Sequence, residues 1–264
     1  YSEPHKQQKR RDNIMLEIRE ITKTYRSNGM DFPVLKGVSA SISDGEFVAI
    51  MGPSGSGKTT LLNVVSGFTS ADSGSVLLDG EDILTGDENI LAEIRQRQLG
   101  FVFQDFMLLN GLTIRENVFL PQIIAGRPAK SMERKTESLL SMFGIGDIAA
   151  KYPAEVSGGQ KQRAAIARAL SNSPSVILAD EPTGNLDSKS GAAVIEAFIA
   201  ANKSMGATIL MVTHDAFAAS YADKVIALKD GIVFGELVRH GKPKQFLDEL
   251  LDFIRKVNGD GYDA

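Results

Sequence analysis

The sequence contains no cysteine and no apolar run close to the roughly 20 residues that a helix needs to cross a bilayer. The lack of cysteine excludes disulfides, thiolate metal sites and cysteine nucleophiles. The lack of a long apolar run means that any work at a membrane would require docking onto another polypeptide. The net charge of −4 is small, so nothing global favours binding to nucleic acid, and we expect no such partner.

The composition is otherwise that of an ordinary globular protein, with 43% hydrophobic and 23% charged residues in a chain of 264. This length suits one large domain, or a domain with a subdomain, and supplies enough apolar material for a core. Residues 1–13 are polar and mildly basic and lack the apolar centre of a signal peptide, so we expect a flexible tail there.

Strand-like and helical segments alternate along most of the chain. The segments that read as strands are 15–25, 34–42, 47–51, 75–78, 100–104, 176–179, 208–212 and 225–228. Helical spacing begins at Lys58, dominates 105–170 and returns at 191–203. This alternation predicts a mainly parallel sheet with helices on both faces, into which a helical block is inserted.

The segment after the apolar run 47–51 matches the phosphate-loop pattern GxxxxGK[ST]. It consists of Gly52, Pro53, Ser54, Gly55, Ser56, Gly57, Lys58 and Thr59, and Thr60 continues it into the helix. Glycines let the backbone curl so that its N–H groups face phosphate oxygens, and the helix adds the positive end of its dipole. Lys58 should reach the β- and γ-phosphates, and the Thr59 hydroxyl should ligate Mg²⁺. The pattern, in its strand–loop–helix context, predicts binding of a nucleoside triphosphate.

The apolar strand at 176–179 ends in two carboxylates, Asp180 and Glu181. Beside a phosphate loop, an aspartate at a strand end holds the hydrated Mg²⁺. A second carboxylate directly after it can polarise the attacking water as a general base. Such a pair is often only a solvated turn, but the phosphate loop favours the catalytic interpretation.

The segment 156–163 reads VSGGQKQR and resembles the signature of ABC ATPases, LSGGQ followed by a basic helix, with Val156 in the place of Leu. It lies shortly before the Asp-Glu strand, as in that family. Its start can form a second anion site from the Ser157 hydroxyl, the helix N-terminus and the backbone N–H groups of Gly158, Gly159 and Gln160. The resemblance implies that this phosphate belongs to ATP on a second copy, so that two chains bind two ATP molecules in a head-to-tail dimer.

Smaller matches follow in the order that the family has. The resemblance implies that Tyr25 stacks on adenine and that Gln104 contacts Mg²⁺ or the attacking water. It also implies that Asp187 belongs to a loop linking the two sites and that His214 holds the γ-phosphate. Tyr25 in an early strand could equally be a core residue. Lys58, Gln104, Glu181 and His214 would then carry catalysis.

The resemblance extends from about Met15 to Val238 and implies an α/β P-loop ATPase of the ABC type. Such a fold has a mainly parallel sheet, an N-terminal antiparallel β region and an inserted helical subdomain. We expect the ATPase domain at 14–240, its helical subdomain at about 105–170 and a C-terminal helical extension at 241–264. The implied cofactors are ATP and Mg²⁺. The implied partner is a membrane permease on a separate chain, which would place the protein at the cytoplasmic face of the membrane.

Three stretches are similar to the branch that includes macrolide-efflux, lipoprotein-release and bacitracin-efflux proteins. They are GFVFQ at 100–104, LLNGLTIRENV at 108–118 and EPTGNLD at 181–187. A helix expected at 243–257 carries an apolar stripe and resembles the bacitracin-efflux type, which favours peptide antibiotics over lipoproteins or macrolides. The stripe could instead pack on the sheet or on the other protomer. The run 106–109 either docks the permease or belongs to the core.

Classes of ABC ATPase that do not transport substrates fit the sequence less well. The sustained heptads of DNA-repair members are missing, and so is the second nucleotide domain of translation-associated members. A cell-division regulator that signals to a membrane partner is the nearest alternative. A regulatory module without turnover is disfavoured by the presence of Glu181 and His214.

Overall fold

The computed structural model describes residues 13–259. The predicted tail at 1–13, except its last residue, and residues 260–264 of the expected extension lie outside the described residues. The strands are β1 (Ile14–Ser27), β2 (Met30–Ser43), β3 (Phe47–Met51), β4 (Ser73–Leu78), β5 (Glu81–Asp82), β6 (Leu99–Val102), β7 (Val176–Asp180), β8 (Thr208–Val212), β9 (Lys224–Lys229) and β10 (Ile232–Val238). The helices are α1 (Lys58–Val65), α2 (Glu88–Arg97), α3 (Ile114–Ile124), α4 (Ala129–Met142), α5 (Gly158–Leu170), α6 (Ser188–Met205), α7 (Ala216–Ala219) and α8 (Pro243–Asn258).

The larger sheet has six strands in the order β10-β9-β3-β8-β7-β6. Strands β9, β3, β8, β7 and β6 run parallel to their neighbours, and β10 pairs antiparallel with β9. The central strands β3 and β8 are buried along their whole length, as expected when both faces of a parallel sheet are covered. Residues of β3 contribute alternately to two apolar cores, one on each face. The predicted α/β class with a mainly parallel core is confirmed.

A second, antiparallel sheet covers one face of this core. Its strand order is β2-β1-β4-β5, and β1 and β2 form a long ribbon. Leu16, Ile18 and Leu35 of this sheet share an apolar core with α1 and with Val48 and Ile50 of the larger sheet. The ribbon is therefore held above the start of α1, next to the phosphate loop.

Helices α3, α4 and α5 lie between β6 and β7 in the chain. Helix α3 begins with a reciprocal cap in which Thr113 and Glu116 satisfy each other's backbone N–H groups. The expected strand at 100–104 is too long, because β6 ends at Val102, which pairs with Ala179. Beyond it the Phe103 carbonyl accepts a hydrogen bond from the Gln162 side chain at 3.2 Å instead of a strand partner, and Gln104 enters a loop.

The last helix, α8, packs on its own domain. Its stripe buries Phe246, Leu250 and Val257, while Phe253 and Ile254 pack in part against the same core. The helix contacts α7, β9 and β10. Of the two positions considered for this stripe, the structure shows packing on the chain's own sheet.

Candidate nucleotide site

The phosphate loop connects the end of β3 to the start of α1, and its curl requires glycine at two positions. Gly52 has φ 158°, and a Cβ there would lie 2.0 Å from the Leu228 carbonyl oxygen. Gly57 has φ 101° and precedes α1, and a Cβ there would lie 2.8 Å from Leu35 Cδ2. Neighbouring strands thus press directly on the loop backbone, and a larger residue at either position would force them apart.

Lys58 lies inside this loop. Its Nζ donates hydrogen bonds to the carbonyls of Gly52 at 2.8 Å and Pro53 at 3.1 Å. Burial lowers the pKa of Lys58, whereas the nearby carboxylates of Glu181 and Asp180 act in the opposite direction. The side chain therefore places a positive charge within a ring of backbone atoms, the arrangement that binds phosphates.

Thr59 and Asp180 meet at the end of β7. Thr59 Oγ1 donates a hydrogen bond to Asp180 Oδ1 at 3.4 Å, although the two residues are far apart in the sequence. Burial and the neighbouring Glu181 carboxylate raise the pKa of Asp180, while Thr59 and Lys58 lower it. A hydroxyl and a carboxylate side by side form a set of hard oxygen ligands suited to Mg²⁺.

Glu181 and His214 form a second pair at the ends of two adjacent strands. Glu181 Oε2 lies 2.8 Å from His214 Nδ1 and accepts a hydrogen bond from the His214 backbone N–H at 3.2 Å. Glu181 has the left-handed φ of 45°, and its own N–H donates to the Val212 carbonyl at 2.9 Å. A non-glycine residue in this conformation is strained, which is common where a side chain must point in one particular direction.

Gln104 follows β6 and bonds to the loop that comes after Glu181. Its Nε2 donates to Asn185 Oδ1 at 3.0 Å, and Asn185 Nδ2 donates to Asp105 Oδ1 at 2.8 Å. Gln104 also touches Gly184, since a Cβ on that glycine would lie 3.0 Å from Gln104 Nε2. The structure therefore connects Gln104 to the loop that follows Glu181.

The signature segment begins α5, and the side chains of Ser157 and Gln160 each accept a hydrogen bond from the other's backbone N–H. Ser157 Oγ accepts from the Gln160 N–H at 3.4 Å, and Gln160 Oε1 accepts from the Ser157 N–H at 2.9 Å. The two glycines allow close packing on the following loop. A Cβ on Gly158 would lie 3.0 Å from Leu186 Cδ2, and one on Gly159 would lie 3.0 Å from Ser190 Cβ.

Asp187 caps α6 next to this turn. Its Oδ1 accepts from the backbone N–H groups of Lys189 and Ser190, both at 3.0 Å, and its Oδ2 accepts from the Ser190 hydroxyl at 2.7 Å. The Ser190 hydroxyl bond and the backbone bonds lower the pKa of Asp187. The predicted linking residue is thus an N-cap within its own chain.

Tyr25 is on the β1–β2 ribbon and 41% exposed, so it is not a core residue. It pairs across the ribbon with Phe32, and Lys23 Nζ lies 5.7 Å from the centre of its ring. An exposed ring is available for stacking on a base.

The structure brings together Lys58, Thr59, Asp180, Glu181 and His214 from three separate motifs. It does not bring Ser157 or Asp187 into hydrogen-bonding contact with them among the described residues. The sequence analysis missed Asn185 as a partner of Gln104, although Asn185 lies inside a stretch that it singled out. It also missed the buried Gln162, whose type at a helical position gives no signal of its own.

These features define the class of the protein. A phosphate loop at the end of a central parallel strand faces a strand-end Asp-Glu pair and a histidine on the next strand. A helix that begins with a reciprocal serine cap lies elsewhere in the structure. This combination is that of a P-loop nucleoside triphosphatase.

Comparisons with known proteins specify the family. The family model for ABC transporters matches residues 35–184. The ABC transporter ATP-binding protein YxdL of Bacillus subtilis is 47% identical over 249 residues, which cover 94% of this chain and 96% of that protein. The bacitracin export ATP-binding protein BceA of Halalkalibacterium halodurans is 45% identical over 231 residues, covering 88% and 91%.

A solved structure agrees with these relatives. The dimeric post-hydrolysis state of the ATP-binding cassette MJ0796, bound to ADP and Pi, superposes with a TM-score of 0.78 at 40% identity. The match covers 86% of this chain and all of that one. The chain therefore belongs to the ABC transporter family, as an ATP-binding and ATP-hydrolysing subunit. No helix within residues 13–259 has the length and apolar character required to span a membrane.

Proposed function

We propose that two copies of this chain bind two Mg²⁺-ATP molecules between them and drive a separate permease that exports peptide antibiotics or protects against them. The observation that carries this proposal is the division of the site. The Lys58 and Glu181 region is connected across the fold, whereas Ser157 is exposed and its hydrogen bonds, among residues 13–259, stay within the first turn of its own helix.

The residues present fit the triphosphate. The Ser56 hydroxyl is buried inside the loop and has no hydrogen-bond partner within the described part of the chain. A buried polar atom without a partner is costly, and a phosphate oxygen at this position would satisfy it. Lys58 would move its hydrogen bonds from the loop carbonyls to the β- and γ-phosphates.

The residues also fit Mg²⁺. Thr59 Oγ1 and the Asp180 carboxylate would hold it, and Gln104 would approach only if its hydrogen bond to Asn185 were exchanged. The ion supplies charge neutralisation on the β- and γ-phosphates. Because burial raises the pKa of Asp180, a bound cation would also stabilise a carboxylate that is otherwise unfavourable.

Glu181 is placed to activate water, and His214 orients it. The bond from His214 Nδ1 and the bond from the His214 backbone N–H both reach Glu181 Oε2, so the other carboxylate oxygen is left to accept a proton from water. The exposed ring of His214 would contact the γ-phosphate through its second nitrogen. Hydrolysis would therefore be sensitive to the pairing of these two residues.

The second copy would complete the site. The first turn of α5 offers the positive end of the helix dipole and the Ser157 hydroxyl, which suit the γ-phosphate on the partner. Asp187, on the loop packed against this turn, would lie at the same interface. ATP would thus close a head-to-tail dimer, and hydrolysis would reopen it.

The permease would dock beside the loop after Gln104, at the cytoplasmic face of the membrane. Met107 is 57% and Leu109 49% exposed there, whereas Leu108 packs against the core. Arg168 donates hydrogen bonds to the carbonyls of Phe106 and Met107 and so fixes the loop that presents these side chains. An exposed apolar pair on a fixed loop suits a partner helix.

The substrate class follows from the likeness to the bacitracin export protein and from α8. In the strain that carries the gene, its deletion should change resistance to bacitracin-type peptides, and wild-type complementation should restore it. Complementation with Glu181→Gln should fail. If macrolide resistance changes instead and peptide resistance does not, the peptide assignment is wrong, while the ATPase assignment stands.

The ATPase cycle is tested by the Glu181→Gln variant. We expect turnover to fall by about 100- to 10 000-fold, as for loss of a general base. With Mg²⁺ and ATP the variant should migrate as a dimer in size-exclusion chromatography, and EDTA should return it to the monomer. Turnover close to wild type would exclude Glu181 as the base, and a persistent monomer would refute the ATP-bound dimer.

A further inference from the structure

We propose that Gln162 is a positioning residue for hydrolysis, which holds in place the backbone just before Gln104 and just after Glu181. The proposal rests on the functions proposed above for those two residues. Gln162 lies in the second turn of α5, directly after the signature turn, and nothing in the sequence pattern assigns it a function.

The side chain of Gln162 bridges two loops from inside the fold. It is fully buried, and its Nε2 donates to the Phe103 carbonyl at 3.2 Å and to the Pro182 carbonyl at 2.9 Å. Its Oε1 is buried without a hydrogen-bond partner among the described residues. Both donors of the amide are thus used while its acceptor remains unpaired, so the two loop carbonyls account for the presence of an amide here.

The first of these carbonyls marks the point at which the chain leaves the sheet. Strand β6 stops pairing at Val102, and the next carbonyl, that of Phe103, accepts a hydrogen bond from the Gln162 side chain. Gln104 follows immediately and reaches Asn185. Without Gln162 the Phe103 carbonyl would have to find water or another donor, and the direction of Gln104 would be less restricted.

The second carbonyl follows the strained Glu181. A left-handed residue with a side chain keeps its conformation only when its neighbours restrain it. The Val212 carbonyl restrains the Glu181 N–H on one side, and Gln162 restrains Pro182 on the other. Gln162 is therefore a hydrogen-bonded restraint next to the proposed base, together with the Val212 carbonyl and the Gly184 N–H, which donates to the Glu181 carbonyl at 3.0 Å.

This arrangement connects the two kinds of site. The signature turn and Gln162 belong to one helix, so a shift of that turn against the partner's phosphate is carried to the two loop carbonyls. Binding in one composite site would then influence the geometry of Gln104 and Glu181 in the same chain. Such a dependence fits a reaction that should proceed only after the dimer has closed.

The chain offers a matched control for this test. Asn172, just after α5, is also buried and also donates from one amide nitrogen to two carbonyls, those of Gln96 at 3.1 Å and Pro121 at 3.0 Å. Its Oδ1 is likewise without a hydrogen-bond partner in the part of the chain that is described. Asn172→Leu and Gln162→Met therefore remove equivalent hydrogen bonds without a large change of volume, but only Gln162 faces the site.

The experiment compares kcat, KM, ATP affinity and Tm of the two variants with wild type. We expect Gln162→Met to lower kcat about tenfold or more, as for a small misplacement of catalytic groups. Its ATP affinity and KM should change less than twofold. Asn172→Leu should lower Tm to a similar extent but keep kcat within about twofold of wild type. If Gln162→Met keeps wild-type kcat, or if both variants lose it equally, the proposal is refuted.

A double-variant comparison separates this inference from the proposal for Glu181. In single-turnover measurements, adding Gln162→Met to Glu181→Gln should lower the residual rate by a smaller factor than Gln162→Met lowers the wild-type rate, because one of the two groups being positioned is already lost. A full multiplication of the two effects would refute positioning through Glu181. Wild-type turnover in Glu181→Gln alone would instead refute the general base itself.

Discussion

The phosphate-loop region and the signature region differ in how the chain holds them. In the first, residues distant in sequence bond to one another, as in Thr59 with Asp180 and Glu181 with His214. In the second, the hydrogen bonds of Ser157 that the structure shows reach only Gln160 and Lys161, three and four residues further along the same helix. The phosphate-loop region is thus built by contacts between distant parts of the chain, whereas the signature region is a helix terminus held by local hydrogen bonds.

This difference has a functional consequence. A region whose charges and hydrogen bonds are already arranged in one chain should bind ATP without help. A helix terminus with free N–H groups should contribute only when a phosphate is brought to it from outside. ATP binding and ATP hydrolysis should therefore respond differently to changes in the two regions.

The largest effect is expected from Lys58→Ala. It removes the charge that the loop holds for the phosphates, so we expect ATP affinity to fall by about 3 kcal/mol, or over 100-fold. Equilibrium binding of a fluorescent ATP analogue to the monomer measures this loss. Lys135→Ala is the matched control, because Lys135 is also partly buried and bonded, in its case to Ser173 at 3.0 Å, but lies on α4. Affinity unchanged in Lys58→Ala would contradict the phosphate-loop assignment.

Ser157→Asp tests the other region without disturbing the helix. Aspartate caps a helix as well as serine does, but its charge would repel a phosphate. We expect monomer ATP affinity to remain and turnover to fall at least about tenfold. Thr113→Asp changes an equivalent reciprocal cap on α3 and should leave turnover as it is.

Mixing the two variants tests the division directly. A dimer of one Lys58→Ala chain and one Ser157→Asp chain contains one intact composite site, formed from the loop of the second and the signature of the first. The mixture should hydrolyse ATP faster than the sum of the separate variants. No gain on mixing would place both regions in the same site of a single chain.

A smaller effect is expected at the nucleobase. Tyr25→Ala should weaken ATP binding by about 1–3 kcal/mol, or about 5- to 150-fold, because a base loses its stacking partner. Tyr25→Phe should bind normally, and so should Phe234→Ala, which removes a similarly exposed ring from β10. The chain has no tryptophan, so the Tyr25→Trp variant has a single tryptophan, whose fluorescence should change when ATP is added. An unchanged affinity in Tyr25→Ala would exclude stacking.

Local patterns predicted the parts of the site that depend on consecutive residues. The glycine spacing of the loop, the strand ending in Asp180 and the apolar alternation of the core strands follow from short-range chemistry. Their order in the chain also indicated the helical insertion. The sequence analysis did not predict helix α2, whose apolar residues Ile90, Leu91 and Ile94 cover little more than one turn and are not fully buried.

The contacts between motifs were beyond the sequence. The hydrogen bonds of Gln104 to Asn185 and of Gln162 to Pro182 join residues that are about 80 and 20 positions apart. The strained backbone of Glu181 likewise has no signature in the sequence. Only tertiary packing decides such contacts. The same is true of the end of β6, where a side chain from α5 replaced the next strand partner.

The smallest expected effect compares two aspartates, one from each region. Burial raises the pKa of Asp180, whereas hydrogen bonds from Ser190 and the backbone lower that of Asp187. A raised pKa in the folded state means that the carboxylate opposes folding above its ordinary pKa of about 3.9. A lowered pKa means that the carboxylate supports folding over the same range.

The two replacements by asparagine should consequently shift stability in opposite directions. At about pH 8 and without nucleotide, Asp180→Asn should raise Tm by a few degrees, and Asp187→Asn should lower it. The gain from Asp180→Asn should shrink as the pH falls through the raised folded pKa towards about 4. The loss from Asp187→Asn should persist down to about pH 4 and disappear only below it, as the pH falls through the lowered folded pKa. Calorimetric scans at several pH values measure both, and a lowered Tm in Asp180→Asn at neutral pH would show that the Asp180 carboxylate does not destabilise the fold.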